Sequence, residues 1–492
     1  MQRATTVVAV IVLAALLVVQ AGAIIWRADR EPDADEVEYL HVAWLMAHGK
    51  QLYKSFFEHH TPFLFAAFQT LATDDVRAFF VRARLLSGAF GFAALLAFAT
   101  IFWRVRREAV PIAVALIFAS APMWSNGLTA ARAEPFAFAF FWWGAALVLL
   151  ARRDDLRGVG LALVAIAALW NPKWPLCSIV VAAFWFFTTR RRLLSAAVAL
   201  AITAIAVFIL NLFAPLEQIW FFCIEFNRAL GPWVARGRGA WSEDFHGKRL
   251  FFFAPLLLGP FVMLGAFLVN AAAIAFARVR EKQITLFFLA MAVAAVLEVR
   301  FLYSWPLIWN YYYLMWGFVA AALVGLIPAA VEALLAAARV RYAETIGVAV
   351  TAVAMVLAVA NVISIAPVEK VPGPYWVSFR YMEKRLRPGD RVWMADLGRH
   401  PVAVEDGDYY WWGFVIPVAE ELRKTPRGAR LLPPVGEKPF CAMTRGETTS
   451  LRFVSGPQMI RSSEQEVQCF VQLFREGRIR RMPFRGLWEI VR

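Results

Sequence analysis

Long apolar runs, each closed by a few polar residues, recur from the start of the chain to about Ala366. A run of roughly 18 or more residues with few charges has the length of a helix that crosses a bilayer. On this pattern about eleven spans are expected, near residues 4–25, 85–103, 109–123, 135–151, 158–171, 174–189, 194–213, 249–277, 283–298, 310–327 and 344–366. The first run follows Met1-Gln2-Arg3 and contains Ala21-Gly22-Ala23, which looks like a cleavage site. Its apolar stretch exceeds the roughly 7–15 residues of a signal-peptide core, so it is expected to remain as an anchor.

After Pro367 the pattern changes. Residues 367–492 carry 21 Lys and Arg and 15 Asp and Glu, against 51 and 36 in the whole chain. "RPGDRVWMAD" (387–396) reads as a turn and then a strand, "EQEVQCFVQLFREGRI" (464–479) has helical periodicity, and "GLWEIV" (486–491) reads as a last strand. The expected architecture is a polytopic α-helical membrane domain over residues 1–366, with a loop over 27–84, and a small α/β domain over 367–492.

Composition agrees with that class: 61% of residues are hydrophobic, 18% are charged, and mean hydropathy is +0.58. The formal net charge of +15 does not point to nucleic acid. Many basic residues sit in short clusters between spans, "RVRR" (104–107), "RRDDLR" (152–157), "RRR" (190–192), "RVREK" (278–282) and "RVR" (339–341). Nucleic-acid binding wants one basic surface, whereas clusters at a span period are the cytoplasmic signature of the positive-inside rule. With the N-terminus inside, the polar loops and the C-terminal region then fall outside. The four cysteines form no CxxC pair, and there is no P-loop, dinucleotide fingerprint or HExxH. Cys441 and Cys469 lie in the region expected to face an oxidising compartment, and the sequence leaves open whether they bridge. Cys177 and Cys223 are expected to be free.

The densest chemistry follows the first span. Asp33 with Glu36, and Asp35 with Glu38, each have the spacing of a capping box. Val37, Leu40, Trp44 and Leu45 recur at helical spacing, which predicts an amphipathic helix on the membrane surface. Capping accounts for one acid and one partner; it does not account for four carboxylates crowded into six residues.

The stretch "DADEVEYLHVAWLMAHGKQLYKSFFEHHTP" (33–62) resembles the first periplasmic loop of GT-C superfamily glycosyltransferases, a group that includes the protein O-mannosyltransferases and the lipid A aminoarabinose transferases. The likeness extends as topology over about the first 310 residues. It implies sugar transfer from a polyprenyl-phosphate donor to a lipid, glycan or protein hydroxyl. It also implies that Asp35 is the base, with Glu36 beside it and Asp33 as an extra acid. In "RAEP" (132–135), Arg132 and Glu134 stand where relatives carry a second acid, with Glu for the commoner Asp. Cations for the donor phosphate are sought in His59, Arg132, Lys173, Arg228 and Arg300; Asp33, Tyr39, Glu58 and His60 are candidates on the acceptor side. Glu58, His59 and His60 can also ligate a divalent metal, to which the sequence does not commit. The rival readings are a transporter or flippase of lipid-linked sugars, which would place ionisable groups at mid-membrane, and a membrane anchor without catalysis.

Overall fold

The computed structural model describes residues 2–105, 110–114, 128–230, 260–279, 282–303, 314–363, 373–394, 399–411, 415–435, 439–455, 464–484 and 486–491. The expected spans at 109–123, 249–277, 310–327 and 344–366 lie partly outside these residues. The chain folds as two compact units, one of residues 1–28, 84–208 and 234–368, the other of residues 29–83, 209–233 and 369–492.

The first unit is helical. Five helices among the described residues are long and apolar enough to cross a membrane: Val7–Trp26, Val76–Arg104, Ala133–Leu150, Arg192–Phe213 and Leu314–Ala337. Shorter apolar helices occupy Pro175–Thr188, Phe261–Phe276 and Ala343–Ala354. The windows in Val7–Trp26 and Arg192–Phe213 are each only 22% buried, so their apolar side chains, Leu200, Phe208 and Leu212 among them, suit lipid rather than water. The core lies elsewhere. Trp142 is fully buried with ring centroids of Phe98 at 5.1 Å and Phe318 at 5.3 Å, and these aromatics tie the Val76–Val105, Ala133–Leu150 and Leu314–Ala337 helices together.

Lipid tails offer helices no hydrophobic drive to associate, so close backbone approach has to hold them. The hairpin of Ala133–Leu150 and Asp154–Trp170 uses glycine for this. A Cβ on Gly144 would come within 2.6 Å of the Gly160 carbonyl, and one on Gly160 within 2.7 Å of the Gly144 carbonyl.

The second unit joins three segments of chain. Its sheet runs in the order β2-β1-β3-β5-β4, with β1 at Arg391–Met394, β2 at Glu405–Asp406, β3 at Leu451–Ser455, β4 at Ile479–Arg481 and β5 at Leu487–Ile490. β1 is parallel to both neighbours, and β5 is antiparallel to β3 and β4. Both faces are covered: Trp393, Val454, Phe470 and Leu473 belong to one cluster, and Val392, Met394, Phe453 and Leu487 to the other. The helix begun at Glu464 ends at Arg475, short of the periodic stretch, because Gly477 at φ +72° terminates it and Ile479 enters β4. Cys441 and Cys469 form a disulfide between the helices Pro439–Thr444 and Glu464–Arg475. Cys177 and Cys223 are free thiols.

The C-terminal segment packs on the loop after the first span. The Tyr409 carbonyl accepts from Phe57 N–H at 2.9 Å, Tyr409 Oη donates to the Tyr53 carbonyl at 2.8 Å, and Trp411 Nε1 donates to the Phe57 carbonyl at 2.9 Å. Arg427 and Arg430 pair with Glu225 and Glu217 of the middle segment, residues 209–233.

Overfilling a packed contact usually costs about 1–3 kcal/mol. Gly160→Val should therefore lower the thermal unfolding midpoint of the detergent-solubilised protein clearly, and an unchanged midpoint would count against the close Gly144–Gly160 approach.

Candidate functional site

The loop helix Ala34–Ala47 starts with a capping box. Asp33 Oδ1 accepts from Glu36 N–H at 2.9 Å, and Glu36 Oε2 accepts from Asp33 N–H at 3.1 Å. Arg30 stands 3.8 Å from Glu36, whose side chain is fully buried. Two of the three acids at the helix start are thereby engaged in the cap. Asp35, in the first turn and half-buried, is not part of it.

The helix does not lie on a surface with one face in water, as its periodicity suggested. Every residue from Glu36 to Leu45 is buried. Its polar positions face protein, because they meet polar groups from the rest of the unit. Glu38, on the same helix, joins Glu58, His59 and His60 in one cluster whose candidate ligand atoms lie within 4.8 Å of one another. Glu58 Oε1 accepts from the backbone N–H of His59 at 2.6 Å and of His60 at 2.9 Å, and lies 2.7 Å from His60 Nδ1. Glu38 Oε1 is 3.8 Å from His59 Nδ1 and 3.7 Å from His60 Nδ1. Tyr39 completes the group, its hydroxyl 3.4 Å from His60 Nε2.

Backbone contacts hold the two histidines. Asn227 Nδ2 donates to the His59 carbonyl at 2.8 Å, and Tyr53 Oη donates to the His60 carbonyl at 2.5 Å. Tyr53 itself sits at φ 64°, a conformation rare for a bulky residue, and is held there by its buried ring and by Tyr409. Burial, aided by the charge of His60, pushes His59 well below the ordinary histidine range, so its ring is neutral at pH 7. Glu58 Oε2 is buried with no hydrogen-bond partner among the described residues. A neutral imidazole, an unsatisfied carboxylate oxygen and a second carboxylate make a donor set that fits a divalent ion.

In the first unit Glu134 lies in the first turn of Ala133–Leu150, with Arg132 at its N-cap. Glu134 Oε1 accepts from Lys173 Nζ at 2.7 Å and Asn171 Nδ2 at 3.0 Å. Arg132 is 6% exposed and Glu134 is 2% exposed. The cluster thus gathers two cationic side chains around one buried carboxylate.

Sequence expectation thus meets structure unevenly. Tyr39, Glu58, His59 and His60 come together, and so do Arg132, Glu134 and Lys173. Asp33 and Glu36 pair with each other. Arg228 is exposed, two residues beyond the π-helical turn Phe221–Phe226. Arg300 falls in the helix Lys282–Tyr303, and its side chain is outside the described residues. The spacing marks Glu38 as a capping partner of Asp35, but the box forms between Asp33 and Glu36 and Glu38 joins the histidine cluster instead; Asn171 and Asn227 carry no sequence signal.

No protein-family model matches the chain, and no curated protein matches it. Two solved structures of ArnT from Cupriavidus metallidurans do match, one bound to undecaprenyl phosphate and one in the apo state. Each superposes with a TM-score of 0.51, covering 92% of this chain and 94% of that chain, at 15% identity. The chain has the ArnT fold. At this identity the likeness is one of fold, and the chemistry has to be argued from the residues.

Removing one partner of a buried ion pair costs about 3–5 kcal/mol, because the other charge is left behind. Lys173→Met should destabilise the protein on this scale, and Glu134→Gln together with Lys173→Met should recover much of the loss. Strictly additive unfolding energies in this double-mutant cycle would show that the two side chains do not interact.

Proposed function

We propose that the protein is a membrane glycosyltransferase. It moves a sugar from a polyprenyl-phosphate donor to a hydroxyl of a lipid, glycan or protein acceptor on the periplasmic side of the inner membrane. The fold supports this, since an ArnT structure of the same fold was solved with undecaprenyl phosphate bound. The observation that carries it is the capping box: Asp33 and Glu36 provide the cap between them, so the cap does not account for Asp35.

In this reading the acceptor oxygen attacks the anomeric carbon from the face opposite the phosphate. Its proton passes to Asp35, the bond from the anomeric carbon to the phosphate oxygen breaks, and its electron pair leaves with the polyprenyl phosphate. The configuration inverts. General-base help of this kind is worth about 10²–10⁴-fold. Phosphate leaves readily without a strong acid but gains from fixed positive charge, the role for which the resemblance nominates Arg132, Lys173, Arg228 and Arg300; His59, neutral at pH 7, does not supply it. Glu38, Glu58, His59 and His60 would hold a divalent ion, which would add positive charge to the site. The topology is the eleven-span arrangement with a periplasmic C-terminal domain. The Cys441–Cys469 bridge supports it, because disulfides persist in oxidising compartments.

The central experiment replaces Asp35. Asn keeps the size of Asp and leaves the Asp33–Glu36 cap intact, so Asp35→Asn should fold and insert. Its transfer activity should fall at least about 10²-fold, read by mass spectrometry of glycolipids in a deletion strain carrying the variant. Asp33→Asn should be mild, because the cap survives. A well-folded Asp35→Asn protein with parental activity would falsify the assignment of the base.

A side test follows the compartment. In denaturant without reductant, a thiol reagent should label Cys177 and Cys223 but leave Cys441 and Cys469 untouched; full labelling of all four cysteines would reject an oxidising location for the tail.

A further inference from the structure

One buried polar cluster in the second unit takes no part in the proposed reaction. His41 lies six residues after Asp35 on the same helix and is fully buried. Its Nδ1 is 2.7 Å from the Val402 carbonyl oxygen and its Nε2 is 2.7 Å from Asp406 Oδ2. A carbonyl only accepts, and so does an ionised carboxylate. Burial pushes the Asp406 carboxyl up, but His41 and His400 together outweigh burial and hold it below the ordinary range. Both ring nitrogens of His41 therefore donate, and an imidazole with a hydrogen on each nitrogen is an imidazolium.

His400 has the opposite arrangement. Its Nδ1 accepts from Val402 N–H at 3.0 Å and so carries the lone pair. Its Nε2 carries the hydrogen and donates to Asp406 Oδ1 at 3.1 Å. The cluster thus holds one cation, one anion and one neutral ring, and every contact joins a donor to an acceptor.

These three side chains are also close enough to ligate one metal ion. The hydrogen bonds argue against it. A His400 ring bound to metal through Nε2 would carry its hydrogen on Nδ1, where it would meet the Val402 N–H.

Val402 is at φ 59°, which a β-branched residue rarely adopts. That conformation aims its N–H at His400 and its carbonyl at His41. The titratable groups facing His41 are His400, with ring centroids 3.8 Å apart, and Asp406; Trp411, at 4.7 Å, and Trp44, at 6.5 Å, pack on the ring as well.

We propose that His41 is a positioning residue, whose imidazolium, shared between the Val402 carbonyl and Asp406, fixes the helix carrying Asp35 to the C-terminal segment. Six residues of helix separate the two side chains by about 9 Å of rise, so a rotation or slip at His41 is carried directly to Asp35. The importance of Asp35 rests on the proposed reaction; the latch does not.

Acid should open the latch. Burial first, and then the charge of His41, lowers His400 to about 4 from an ordinary value of 6.5. The unfolded chain therefore binds a proton that the folded one refuses between these values, and stability falls as pH drops from 6.5 towards 4. The incoming proton would occupy Nδ1 and confront Val402 N–H.

The test uses the full-length protein in liposomes. With [¹⁵N]histidine labelling at pH 7, nitrogen NMR should show both His41 ring nitrogens bonded to hydrogen and one on His400. His41→Gln removes the first set, and Asp406→Asn abolishes the doubly protonated signal. A bare nitrogen on His41, or a metal-bound nitrogen on either ring, overturns the proposal. Hydrogen exchange over residues 34–47 should be at least about tenfold faster in His41→Gln, as an opened local structure requires, with residues 451–455 unchanged. Undecaprenyl phosphate, used as the probe of the lipid site, should bind within about twofold of the parent, marking a local rather than a global effect. Parental exchange in a folded His41→Gln protein also overturns the proposal. Neither readout uses sugar transfer, so an active Asp35→Asn enzyme removes the proposed base and leaves the latch standing.

Discussion

A carboxylate taken out of water must be given partners, and the way each buried acid is satisfied organises this protein. An unpaired buried charge costs several kcal/mol, more than most single contacts return. Glu36 is satisfied by a helix N-terminus, Glu134 by Lys173 and Asn171, and Asp406 by two histidines. Glu489, 1% exposed in the sheet, has Arg452 on one oxygen and Arg480 on the other. Glu298 reaches from one apolar helix to the first turn of another, where Cys177 N–H donates to it at 2.9 Å. Glu36 thereby closes the end of its own helix, whereas the other four acids each join separate elements that apolar packing alone would leave free to slide.

The same need explains why the loop helix cannot stand alone. Its faces carry Val37, Leu40 and Leu45, but also Glu38 and His41, all buried. Such a helix is too polar for lipid and too apolar for water. It needs protein on every side, and the C-terminal segment supplies much of that with His400, Asp406 and Trp411. A periodicity that looks amphipathic at the level of sequence becomes a fully enclosed helix once the polar face finds polar partners.

What was legible follows from sequence distance. The apolar helices and the Asp33–Glu36 cap are local, so composition and three-residue spacing mark them. The run Glu58-His59-His60 is local too and was readable as a cluster, whereas Glu38 joins it from twenty residues away through a fold the spacing does not describe. Arg132, Glu134 and Lys173 were each visible as charges beside apolar helices. Their pairing was not, because it depends on the turn that brings Lys173 back beside Glu134. The Cys441–Cys469 bridge was open for the same reason: residue types permit it, but only the packing of two helices brings the Cα atoms to 5.1 Å. His41 and Asp406 are 365 positions apart, and nothing local to either announces the other.

The strained residues point the same way. Tyr53 and Val402 both adopt positive φ without being glycine, and both sit where the loop meets the C-terminal segment: Tyr53 under the Tyr409 hydroxyl, Val402 between two histidines. Such conformations persist only where surrounding contacts over-determine them. Each places a backbone carbonyl or amide where a buried side chain needs a partner, so the local cost of the backbone is set against the larger cost of an unsatisfied group. Polar satisfaction at the two positions is therefore mutual: the side chains keep the backbone strained, and the strained backbone keeps the side chains paired. A helix held in that way has few alternative placements, which is the condition a base at its first turn would require.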